Sequence, residues 1–85
     1  MLSEDTIKKH MATFLSVGVE RLSNDTVLTE LVIESFFLIE MLLALQEDFN
    51  IVLVQDDIGD VTTVGELVAV LIKKGNYSAQ QKAAL

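Results

Sequence analysis

The chain contains no cysteine and only one histidine, His10. Without cysteine there is no disulfide frame, no thiolate metal site and no cysteine nucleophile. That fits a reducing compartment, and a cytoplasmic location is expected. A single histidine rules out most His-based metal clusters and weakens any serine-triad reading. Basic residues are also scarce. They are Lys8, Lys9, Arg21, Lys73, Lys74 and Lys82, so none falls between Arg21 and Lys73. That interval carries Asp25, Glu30, Glu34, Glu40, Glu47, Asp48, Asp56, Asp57, Asp60 and Glu66, which account for most of the net charge of −7. Such a surface repels nucleic acid and anionic lipid and steers toward basic protein partners. A membrane-length apolar run is missing too, because Glu34 and Glu40 interrupt the longest apolar region. The first ten residues are acidic then basic, unlike a signal or transit peptide.

What remains is an 85-residue chain that is 51% hydrophobic, enough for one small domain with a modest core. Ser3 is placed to cap a first helix, with Glu4 and Asp5 in the first turn, where the helix dipole favours negative charge. Ile7, Met11, Phe14 and Leu15 recur at helical spacing and define its buried stripe, with His10 as a flank residue. The helix is expected to fade near Val17 and Gly18. A long connection follows. It contains the turn-forming Ser23-Asn24-Asp25, yet Val19, Leu22, Val27, Leu28 and Leu31 are too many apolar side chains for a free linker. It is expected to pack over the bundle.

The second helix should run from about Ser35 to Phe49 and end at Asn50. At 100° per residue, Leu38, Ile39, Leu42, Leu43, Leu45, Gln46 and Phe49 cover one broad side. Phe37, Glu40, Ala44, Glu47 and Asp48 cluster opposite, so the expectation is a narrow acidic strip facing water. Residues 51–54 read as extended chain on the core, and residues 55–60 as one short helical turn. The acids there lack EF-hand spacing, so no metal site is expected. Thr63 and Glu66 have capping-box spacing before a last helix whose buried stripe is Val64, Leu67, Val68, Leu71 and Ile72. Gly75 is expected to stop it after Lys73 and Lys74. The predicted fold is all-α: a small antiparallel bundle of three main helices plus one short helix, with a long first loop. The domain is expected to span residues 1–75, with a flexible tail over residues 76–85.

Ser35 stands where the second helix begins. No Gly-x-Ser-x-Gly elbow surrounds it and no second histidine could serve as base, so no catalytic residue is expected. A hydroxyl at that place can instead bear a phosphate ester, facing unpaired N–H groups and the positive end of the helix dipole.

The run Glu34-Ser35-Phe36, then Glu40-Met41, Ala44-Leu45, Glu47, Phe49 and Ile51, resembles the acyl carrier protein family. There the usual form is Asp-Ser-Leu, then Glu-Leu, an acidic cluster, and Phe-Asp or Phe-Asn. Val61-Thr62-Thr63-Val64 is similar to the family's Ile-Thr-Thr-Val before the last helix. The resemblance implies that Ser35 bears a 4′-phosphopantetheine arm, added from coenzyme A by a phosphopantetheinyl transferase. The arm's thiol holds an acyl group as a thioester, which supplies the sulfur that this chain lacks. It also implies that Glu34, Glu40, Glu47 and Asp48 dock basic patches on acyl-transferring or condensing enzymes, and that acyl chains tuck between the helices.

Several positions depart from the family pattern. Val32 stands where a glycine is usual, and Val54 where a proline often follows the second helix. Phe36 after the serine is similar to D-alanyl carrier proteins. Phe37 and Met41, one turn apart, would add apolar surface beside the attachment point. The expectation is thus a monomeric carrier for a specialised fatty-acid, polyketide or related pathway. The alternatives are an aminoacyl or peptidyl carrier, or an unmodified helical interaction domain.

Overall fold

The computed structural model describes the backbone of residues 2–31 and 35–84, and the side chains of residues 2–31 and 36–75. The elements are α1 (Glu4–Leu15), a 3₁₀ turn (Val19–Arg21), α2 (Leu28–Leu31), α3 (Ser35–Phe49), α4 (Gln55–Ile58) and α5 (Val64–Ala84). The described residues form an all-α bundle, as the sequence predicts, with two further single-turn helices in the long first connection.

Helix α1 starts where Ser3 Oγ accepts the Thr6 N–H at 3.2 Å, a side-chain cap worth about 1 kcal/mol. Its end lies earlier than expected and uses no glycine. Ser16 takes the left-handed conformation at φ 59°, and Val17 N donates to Ala12 O at 3.0 Å. Helix α3 closes the same way at Asn50, φ 54°, with Ile51 N on Gln46 O at 2.9 Å. Both are Schellman-type closures, which satisfy carbonyls that the last turn leaves open.

Helix α1 packs against both α3 and α5, and α4 against α5. Phe14, late in α1, meets Phe37, early in α3, with ring centroids 5.0 Å apart. His10, earlier in α1, meets Phe49 at the end of α3 at 4.6 Å. The two helices are therefore antiparallel. The core joins Ile7, Met11, Ala12, Leu22, Leu28, Met41, Leu45, Ile51, Val64, Leu67, Val68 and Leu71. Each fully buried aliphatic side chain contributes about 1.5–3 kcal/mol. Leu22 and Leu28 put the long connection into this core, as expected, while Val19 stays exposed.

After α3 the chain alternates. Ile51 is buried and Leu53 packs on the core, while Val52 and Val54 face out. Gln46 fixes this segment to α3, accepting Leu53 N at 3.0 Å and donating to Leu42 O at 3.3 Å. Helix α4 is the expected short turn. Val54 N donates to Asp57 Oδ2 at 2.9 Å, and Lys74 reaches the same oxygen at 3.1 Å. That backbone bond and the Lys74 charge hold the Asp57 carboxyl below its ordinary range.

Gly75 does not stop α5, whose backbone stays helical to Ala84. No glycine in the described residues has positive φ, so none here forms a left-handed cap. Gly75 instead faces neighbours. A Cβ there would stand 2.9 Å from Leu2 Cδ2 and 3.6 Å from Ile51 Cδ1.

The start of α5 is held by Glu66. Its Oε1 accepts from Thr62 N at 3.0 Å, Thr62 Oγ1 at 2.8 Å, Thr63 N at 3.1 Å and Thr63 Oγ1 at 3.2 Å. Thr63 Oγ1 in return accepts Glu66 N at 3.2 Å, completing the expected capping box. The backbone bond from Thr62, followed by the other bonds, lowers the Glu66 pKa from its ordinary 4.5. A carboxyl with a depressed folded pKa stabilises fully above that ordinary value and loses its contribution as pH falls through the folded value. Urea midpoints of the wild type should therefore fall on acidification below 4.5, and those of Glu66→Gln should fall less. Equal acid slopes would show that the carboxylate does not hold this helix start.

Candidate functional site

Ser35 is the first residue of α3. Its side chain lies outside the described residues, as does all of Glu34. The turn that Ser35 opens contains no acidic residue. The positive end of the α3 dipole is thus not neutralised by a carboxylate of its own first turn. Next to Ser35, Phe36 is 68% exposed, and Phe37 is 39% exposed with its ring against Phe14. The turn sits at the molecular surface.

Met41 is not part of this surface. It is 0% exposed and lies in the core with Leu45, so the apolar patch expected from Phe37 and Met41 reduces to Phe37. The complementary correction concerns Ile39 and Leu43, expected inside but 52% and 57% exposed. The buried side of α3 is turned by a fraction of a turn from the one expected. A helix that is apolar nearly all round carries little information about which side faces in. The contacts of Phe37 and Phe49 with α1 settle the matter.

The exposed strip of α3 thus runs Phe36, Ile39, Glu40, Leu43, Glu47, and mixes apolar and acidic side chains. Asp48 turns toward α1 instead, its Oδ2 2.9 Å from His10 Nδ1. This ties Asp48 to the helix pair, a role that the sequence reading of His10 as a flank residue misses. An open groove of about 350 Å³ lies here, lined by Lys9, His10, Thr13, Phe14 and Asp48.

Among the described residues no group of three His, Cys, Asp or Glu side chains could hold a metal ion. No helix there is long and apolar enough to cross a membrane. What the arrangement offers is a helix start with a hydroxyl residue, an exposed aromatic beside it, and an acidic and apolar strip leading away.

A family model described as "Phosphopantetheine attachment site" matches residues 5–71. A comparison with curated proteins finds no match. Three serines lie in the matched span. Ser16 is the left-handed closing residue of α1, Ser23 Oγ is hydrogen-bonded to Thr26 Oγ1 at 2.8 Å, and Ser35 opens α3. With well over half of its length matched, the chain belongs to the phosphopantetheine-attachment-site family, which carries a covalently attached 4′-phosphopantetheine group.

Proposed function

We propose that Ser35 is the attachment point and that the protein carries an acyl intermediate to partner enzymes in a specialised fatty-acid, polyketide or related pathway of the cytoplasm. The bound arm supplies a terminal thiol that holds the cargo as a thioester. The chain itself contributes no catalytic group; it offers the hydroxyl, the helix start and the docking surface. One observation carries the reading: of the three serines in the family-matched span, Ser35 alone opens a long helix, beside an exposed first turn. Co-expression with a broad-specificity phosphopantetheinyl transferase should add the mass of one arm to the intact protein. A protein that stays unmodified would favour an interaction domain instead.

Partners are recognised through the α3 strip, with Asp48 at its margin and Glu34 contributing from just before Ser35 in the sequence. Phe36, Ile39 and Leu43 offer apolar contact, while Glu40 and Glu47 steer basic patches such as those of the transferase. Rim charges act mainly on association rate and its salt dependence. Glu40→Lys with Glu47→Lys should raise the transferase KM about tenfold at low salt and flatten its dependence on ionic strength. An unchanged KM would remove these acids from the docking surface.

Phe36 directly after the serine, a choice similar to that in D-alanyl carrier proteins, supports a second reading, an aminoacyl carrier. Loading by adenylating enzymes, compared with loading by acyl transferases, separates the two.

A further inference from the structure

We propose that Phe14 and Phe37 are a positioning pair for arm transfer: their ring contact braces the first turn of α3, the turn that Ser35 opens, against α1. The inference rests on Ser35 as the attachment point. The contact joins α1 directly to that turn, since Phe37 is two residues after Ser35 in the same helix. The ring centroids are 5.0 Å apart and the planes are inclined by 35°. Aromatic pairs in this range attract beyond the area they bury.

The two rings are held unequally. Phe14 is the fixed one. It is half-buried against the core and stands late in α1, just before the bonds that close that helix at Ser16 and Val17. Phe37 is 39% exposed and leans on Phe14. Its neighbours in the first turn differ from it. Phe36 faces out, and Leu38 packs on the core. The deep anchors of the helix, Met41 and Leu45, come later.

The first turn is therefore held at two positions about 100° apart round the helix, Leu38 and Phe37. Two holds fix the rotation of the turn as well as its place. With Leu38 alone the turn can roll and fray, as helix ends do. The ring-specific part of the contact is worth a factor of roughly two to ten. A nucleophile off its line loses rate rather than affinity. Most of the docking strip, from Ile39 to Glu47, lies beyond this turn, so the transferase keeps its hold.

The test is steady-state arm transfer by a broad-specificity transferase, using coenzyme A whose thiol is capped as a fluorescent thioether. The substrates are Phe14→Leu, Phe37→Leu and the double variant. Leucine keeps an apolar side chain at each place and removes the ring pair. Each single variant should lower kcat about fivefold with KM within about twofold. The double variant should be no slower than either, because the rings act as one unit. Phe14→Tyr keeps the ring and should stay within about twofold of the wild-type kcat.

Hydrogen exchange supplies a readout without the transferase. The α-helical register pairs Ile39 N–H with Ser35 O. In Phe37→Leu, exchange at Ile39 should quicken about fivefold more than at Leu71 in α5, whereas a role in overall stability alone would quicken both alike. Phe37 lies outside the buried core, so this variant keeps the test open if Phe14→Leu unfolds. A wild-type kcat in either folded single variant, a raised KM at unchanged kcat, or a double variant about 25-fold slower would overturn the proposal. So would equal changes in exchange at Ile39 and Leu71. A wild-type protein that accepts no arm would instead overturn the assignment of Ser35.

Discussion

Ser35→Ala should abolish arm transfer outright and leave the bundle folded; this is the largest effect expected of any single change. The attachment is a phosphate ester, and alanine has no oxygen with which to form it. The other two serines of the family-matched span offer no replacement. Ser16 closes α1 in a left-handed conformation and Ser23 is engaged with Thr26. The fold should tolerate the change. Within a helix, alanine is favoured over serine by about half a kcal/mol, and even a lost cap costs only about 1 kcal/mol. Intact mass and a thermal melt on the same sample give the answer. Full modification of Ser35→Ala would move the site elsewhere, and a collapsed melt would mean that the serine is structural.

Met41→Ala should be among the most damaging substitutions on α3, although the residue lies between the exposed Glu40 and Leu43 of the proposed docking strip. Its side chain is fully buried beside Leu45. Truncating a buried methionine costs about 2–5 kcal/mol, from lost burial and the cavity left behind. For a domain of this size, each kcal/mol lowers the melting temperature by about 4–8 °C. The midpoint should thus drop by about 8 °C or more. Phe36→Ala, one step from the serine but exposed, should change stability by no more than about 0.5 kcal/mol. Urea titrations of the two variants make the comparison. A Met41→Ala protein as stable as Phe36→Ala would return Met41 to the surface.

These two positions also show what could be read from the sequence and what could not. The caps at Ser3 and Thr63 and the stripes of α1 and α5 were legible, because local hydrogen bonding and periodicity determine them. The end of α3 at Asn50 was legible too. The orientation of α3 was not. Leu38, Ile39, Met41, Leu42, Leu43 and Leu45 are all apolar, so periodicity leaves the inward face open until α1 supplies Phe14 and His10 as neighbours. Gly75 resembles a stop signal only if its lack of a Cβ serves a turn; here it serves packing against Leu2. Gly65 N donates to Asn24 O at 3.0 Å, but the two lie far apart in sequence and nothing local announces their contact. The charge pattern does not announce its pairs. Asp48 belongs with Glu47 in sequence and with His10 in space.

The claim on which the rest depends concerns the chemistry of a single side chain. The most direct measurement is peptide fragmentation of the wild-type protein after treatment with transferase and coenzyme A. The account predicts one phosphopantetheinyl group on the peptide containing Ser35, with those containing Ser16 and Ser23 unmodified. An arm found on either of those peptides, or on none, would contradict it.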